Sequence, residues 1–266
     1  MEIDNYNIYL ERMHGPMKDK LFFLKEFEDA GIIDEIDTVV DFGCADAELF
    51  KYLPDKWKKI GVDNSLQMRR LAQSNYPKGI YTSSMYSANM IKEGKSVLIM
   101  NSVLHEVYNY MKSDEIADLW IDISDGFYDY IVIRDMCYTW VDDKKKLDKE
   151  LLDKIVESEH LDYFLDYQEK FLKREAKYQK DLVQFLLKYK YKENWDRECV
   201  ENYFSYDQFE ILDRVSIANS EIMYCKMFTL PYIKDMIKKD FDYDLKETTH
   251  MKLILKRPNF ELTEGN

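Results

Sequence analysis

Hydrophobic residues along this chain follow two regimes. In the first, short β-branched and apolar runs recur at Thr38-Val39-Val40-Asp41-Phe42, Lys59-Ile60-Gly61-Val62, Gly79-Ile80-Tyr81-Thr82, Ser96-Val97-Leu98-Ile99-Met100 and Asp129-Tyr130-Ile131-Val132-Ile133. Runs of that length read as buried strands. Stretches with helical spacing lie between them, at 45–52, 66–74 and 114–124. A leading helix is predicted over 17–30, where Leu21, Phe22, Leu24 and Phe27 share a face and Gly31 supplies the stop. Near-continuous apolar strands alternating with helices predict an α/β fold with a parallel sheet covered on both faces.

The second regime runs over 142–203, a stretch without glycine or proline. Its apolar positions, including Leu151, Ile155, Leu161, Leu165, Leu172, Val183 and Leu186, suit amphipathic helices and predict a helical insertion after the fifth strand. Strand character returns at Glu221-Ile222-Met223-Tyr224-Cys225 and Met251-Lys252-Leu253-Ile254-Leu255, with a short helix over 231–239 between them. The expected division is N-terminal helices over 1–34, a core over 35–141 and 204–258, the insertion or cap over 142–203, and a tail over 259–266.

Composition narrows the class. Hydrophobic residues make up 46% and charged residues 33%, which describes a folded globular chain and not a disordered one. No apolar run reaches the roughly 20 residues that cross a bilayer, and the first residues lack the basic-then-apolar plan of a secretory signal. A cytoplasmic protein without membrane contact is expected. Cys44, Cys137, Cys199 and Cys225 are widely spaced, so the expectation is reduced, mostly structural thiols with no metal site. The net charge of -13 argues against a surface that grips a polyanion as a whole.

The chemistry concentrates after the first strand. In Asp41-Phe42-Gly43-Cys44-Ala45-Asp46-Ala47, Gly43 permits a sharp turn, and small residues at 45 and 47 let a ligand approach the backbone. Asp63 follows at the tip of the second strand, twenty positions after Gly43. A carboxylate there can accept both hydroxyl hydrogens of a ribose. Turn and acid together describe a nucleoside pocket.

At these residues the chain resembles the class I S-adenosylmethionine-dependent methyltransferases. Their first motif reads as an acid, any residue, then Gly-x-Gly-x-Gly; here Asp41 and Gly43 are kept, and Ala45 and Ala47 replace the second and third glycines. The resemblance implies a Rossmann-like sheet, mostly parallel with the last strand antiparallel, and S-adenosylmethionine as methyl donor. It implies donor contacts from Asp41, Gly43, Cys44, Ala45, Asp63 and Asn64, from Ser83 and Ser84 near the adenine edge, and from Asn101 and Ser102 after the fourth strand.

Several readings stay open. His105 and Glu106 stand where the family begins the helix after strand four; His105 suits a general base, or else the pair caps and packs that helix. Arg134 and Asp135 at the fifth strand tip either touch the acceptor or form a surface ion pair. Tyr163, Tyr167 and Tyr203 could enclose an aromatic or apolar acceptor. Lys170, Lys173, Arg174, Lys177, Lys180, Lys188, Lys190 and Lys192, interleaved with tyrosines and a phenylalanine, form either an RNA-binding stripe or a solvated face balanced by acids. The acceptor is therefore a small molecule or RNA, methylated on oxygen or nitrogen. The alternatives are a non-catalytic S-adenosylmethionine-binding regulatory or scaffold module, and a nicotinamide dehydrogenase, whose turn needs a third glycine that this motif lacks.

Overall fold

The computed structural model describes residues 17–138, 145–201, 206–217 and 220–258. Seven strands form one sheet: β1 (Thr38–Phe42), β2 (Lys58–Val62), β3 (Ile80–Thr82), β4 (Ser96–Asn101), β5 (Tyr130–Met136), β6 (Glu221–Phe228) and β7 (His250–Lys256). Their order is β3-β2-β1-β4-β5-β7-β6. Strands β1 to β5 pair in parallel, while β7 lies antiparallel between β5 and β6. The predicted mostly parallel sheet with an antiparallel last strand is thus present. Chain direction across the sheet reverses between β1 and β4, and ligands in open α/β sheets bind outside the strand carboxyl ends at that point.

The helices are α1 (Met17–Lys20), α2 (Phe22–Asp29), α3 (Leu66–Asn75), α4 (Met85–Ile91), α5 (Leu104–Tyr110), α6 (Ser113–Asp125), α7 (Lys149–Val156), α8 (Leu161–Tyr167), α9 (Gln179–Leu186), α10 (Trp195–Glu201), α11 (Gln208–Ile217) and α12 (Pro231–Phe241). Side chains alternate across a strand, so successive residues feed opposite faces. Val39, Val97, Ile99, Tyr130, Val132 and Ile254 join Phe23 and Phe27 of α2 in one core. Their neighbours Val40, Leu98, Met100, Ile131, Ile133 and Leu253 join Leu104, Ile116 and Trp120 in another. This alternation decides where the polar residues at the strand tips point.

Two predicted helices change form. The stretch 45–52 yields only a 3-10 turn over Glu48–Tyr52, because Ala45 and Ala47 take left-handed φ values of 45° and 59°. The leading helix breaks at Leu21, whose φ and ψ of -87° and 10° separate α1 from α2. The insertion, α7 to α10, contains a π turn over Gln168–Leu172. It buries Leu151, Ile155, Phe164, Tyr167, Phe185 and Trp195 in a third core, shared with Ile233, Ile237 and Phe241 of α12. Helix α10 rests against α5, which brings the insertion over the strand carboxyl ends. No described helix is long and apolar enough to cross a membrane.

Candidate active site

The cleft at the switch point is built from the β1 turn. Gly43 has φ 77°, and a Cβ there would lie 2.6 Å from Val103 Cγ2, so both conformation and space demand glycine. The amides of Gly43 and Cys44 donate to the Val62 carbonyl at 2.8 and 3.1 Å, folding the turn back on β2. Ala45 and Ala47 hold the left-handed geometry that glycine adopts without strain, at a cost of about 1 kcal/mol each.

Asp63 locks this turn. Its Oδ2 accepts from the Ala45 amide at 3.0 Å and its Oδ1 from the Ser65 amide at 2.8 Å. Burial raises its pKa, opposed by those two amides and by Arg69. One amide per oxygen leaves acceptor capacity for ribose hydroxyls. Asn64 beside it is exposed. Ser83 is exposed at the end of β3, whereas the Ser84 hydroxyl caps α4, accepting from the Ser87 amide at 3.3 Å.

Sheet parity gathers the polar end of the cleft. Asp41 and Asn101 share the face of Val39 and Ile99, which is the face that α1 and α2 cover. Asp41, Asn101, Gly43, Cys44 and Asp46 line the cleft together with Met17 and Lys20 of α1. Burial pushes the Asp41 carboxyl up to about 7; Lys20 opposes the shift, and Asp63 and Asp46 add to it. Asn101 is 6% exposed, and both its side-chain amide atoms are buried without a hydrogen-bond partner. Buried polar groups are nearly always satisfied, so this amide has hydrogen-bonding capacity left over beside the cleft. Cys44 is buried, and burial together with the nearby Asp41, Asp63 and Asp46 pushes its thiol far up, which makes it inert.

The opposite parity places Asp135 on the face of Ile131 and Ile133, beneath α5. Arg134 and Asp135 therefore point to opposite faces and do not pair. Asp135 is wholly buried and binds His105 Nδ1 through Oδ1 at 2.6 Å. Its Oδ2 accepts the Val103 and Leu104 amides at 2.8 and 2.6 Å. Burial alone would raise its pKa, but His105 and the amides outweigh burial and hold the carboxyl below its usual range. An ionised carboxylate only accepts, so Nδ1 is the donor. Asp135 is thus an orienting group behind His105. Glu106 is half-buried in the first turn of α5.

Arg134 turns to the other face. Its Nε donates to Asp19 Oδ2 of α1 at 2.8 Å and its Nη1 to the Ser102 hydroxyl at 3.1 Å. Tyr167 is buried in the core of the insertion, with Tyr163 packed against it, and neither lines the cleft. Tyr203 lies outside the described residues. Ion pairs take up much of the basic stripe: Arg174 grips Asp181 at 2.8 and 3.0 Å, Lys190 meets Asp240 at 2.5 Å, and Lys170 and Lys192 share Asp166 at 3.5 and 3.0 Å. Lys188 is buried. Among the described residues no cluster of three or more His, Cys, Asp or Glu side chains could hold a metal.

Lys20 is the cleft residue that the sequence reading passed over. It stands three positions before Phe23 and seven before Phe27, on the buried stripe of the leading segment, and a lysine on such a stripe was the available signal.

Strand order, antiparallel β7 and the glycine turn with its following acid define the class I S-adenosylmethionine-dependent methyltransferase fold. Comparison with one solved structure agrees. The plantazolicin methyltransferase BamL, solved with a triazolic desmethylPZN analogue and S-adenosylhomocysteine, shares this fold at a TM-score of 0.51 and 12% identity, over 95% of this chain and 89% of that one. Magnesium protoporphyrin IX methyltransferase from Synechocystis PCC 6803 aligns over 97% and 89% at 12% identity and a TM-score of 0.49. A methyltransferase from Archaeoglobus fulgidus aligns over 95% and 99% at 10% identity and a TM-score of 0.48. No family model and no curated protein sequence matches the chain.

Proposed function

We propose that this chain is an S-adenosylmethionine-dependent methyltransferase acting on an oxygen or nitrogen of a small-molecule acceptor. The observation that carries the reading is the cleft at the switch point, which the Gly43 turn and the unsatisfied Asn101 amide line and behind which Asp63 holds the turn through the Ala45 amide. These residues fit the donor: Asp63 for the ribose, the turn backbone for close approach, and Asp41 and Asn101 for the polar amino-acid end. When bound, the donor supplies an electrophilic methyl group. His105, held by Asp135, takes the proton that an acceptor hydroxyl or amine releases as it is methylated. The insertion, leaning on α5 through α10, forms the cap that shields the acceptor from water.

A small acceptor is favoured over RNA because much of the basic stripe is spent on Asp166, Asp181 and Asp240, within a chain of net charge -13. Calorimetric titration with S-adenosylmethionine and S-adenosylhomocysteine tests the reading. Wild-type protein is expected to bind both, and Asp63→Ala to lose at least about tenfold in affinity, the worth of one charged hydrogen bond. Folded wild-type protein that binds neither ligand would overturn it.

A further inference from the structure

We propose that the outer edge of β6 pairs antiparallel with β6 of a second copy of this chain, about a two-fold axis that passes through the bulge in that strand. Among the described residues β6 ends the sheet, with β7 its one neighbour, so its outer edge is unpaired. An open strand edge offers a row of amides and carbonyls to another chain.

Exposure along this strand is symmetric about its middle. Glu221 and Ile222 are exposed, Met223 and Tyr224 are half-buried, and Cys225 and Lys226 are exposed again. Charge within that span is complementary, with an acid at one end and a base at the other. Neither Glu221 nor Lys226 forms an ion pair with another described residue. Ile222 between them is 55% exposed, a large apolar side chain left in water.

Parity decides whether two such strands can meet. Residues directly opposite in an antiparallel pair point to the same face, and an axis normal to the sheet carries each face into the same face of the second copy. In a regular strand Glu221 and Lys226, separated by an odd number of positions, would point to opposite faces and could not be matched. The bulge removes that obstacle. Ile222 opposes Leu255 while Tyr224 opposes its neighbour Ile254, so Met223 is the extra residue. Glu221, Tyr224 and Lys226 therefore share the face of Ile254, and Met223 packs with Tyr224 against the core on that side. Ile222 and Cys225 share the other face with Leu255 and Leu253.

An axis between Met223 and Tyr224 then sets Glu221 against Lys226 of the second copy and Ile222 against its Cys225, each on a common face. The same pairs recur at the other end by symmetry. A bulge ordinarily blunts an edge, but here both strands carry the same extra residue at the axis, and the pairs on either side stay in step. Tyr224, beside the axis, also packs its ring on Phe22 of α2 at 5.6 Å, so pairing braces the helix that follows the α1 turn.

Sedimentation equilibrium of the full chain tests the interface and its register together. Wild type is expected to dimerise with a Kd in the range of about 1 to 100 μM, as a small edge contact allows. Lys226→Glu sets acid against acid at both ends, and Glu221→Lys sets base against base; each is expected to weaken the dimer at least about tenfold. An equal mixture of the two variants restores an acid opposite a base at each end, and is expected to dimerise within about threefold of wild type. Wild type that stays monomeric across that range would overturn the proposal. Dimers indifferent to either reversal would overturn it as well, since they use another surface. A mixture as weak as each variant alone would do the same, because Glu221 and Lys226 would then not face each other.

Discussion

At Ala45 and Ala47 the backbone takes the left-handed conformation that the second and third glycines of the family motif occupy freely. Ala45→Gly and Ala47→Gly are expected to leave stability unchanged or raise it by up to about 1 kcal/mol each, native strain relieved offsetting a looser unfolded chain. Gly43→Ala, two positions away, is expected to cost about 2 kcal/mol or more, because its Cβ would meet Val103. Urea unfolding of the three variants checks this opposition of sign. Asp41 adds a pH signature. Its folded pKa, raised to about 7 chiefly by burial, exceeds the unfolded value of 3.8, so the folded state holds the proton between those limits and stability falls as pH rises through them. Asp41→Asn is therefore expected to melt above wild type at pH 8 and to lose that advantage by pH 4; equal melting at both would contradict a neutralised, buried carboxyl.

Helix α9 shows how an element of the insertion is started. Asp181 accepts the Lys177 and Tyr178 amides at 2.8 and 3.0 Å and the bidentate Arg174 guanidinium, closing the first turn. Asp181→Ala is expected to cost about 2 kcal/mol, measurable as a lowered denaturation midpoint, with Arg174→Ala costing less because the amides keep their acceptor. From the sequence, this arginine and aspartate read only as members of a charge run. Elements were legible where one physical signal sufficed: the five apolar strands, the glycine turn and the acid at Asp63 are local patterns. The break at Leu21 and the 3-10 turn at Glu48–Tyr52 were not, since each follows from left-handed or irregular backbone that helical spacing does not encode. Nor was the His105–Asp135 pair, whose members lie thirty residues apart and meet because strand parity turns Asp135 under α5 and Arg134 away from it. Helix α11 went unread, since no pattern recognised in the sequence marked it.

The described residues bury their apolar side chains in three cores. Two of them flank the sheet, and the third binds the insertion to α12, so the insertion buries residues that belong to the carboxyl-terminal half. Asp148 and Gln179 reinforce that join, through the Tyr243 hydroxyl at 2.7 Å and the Glu247 carboxylate at 3.0 Å. The N-terminal turn is held differently, by Asp19 against Arg134 and Lys252. Met17 and Lys20 of that turn wall the cleft, so displacing the turn would break both ion pairs of Asp19. If a bound ligand leaves past that turn, its residence time depends on Asp19 as well as on the nucleoside contacts: in stopped-flow displacement, Asp19→Asn is expected to speed S-adenosylhomocysteine dissociation several-fold, and added salt to speed it in wild type more than in the variant. A clasp of that kind would make product departure, and not methyl transfer, the slow event of each turnover.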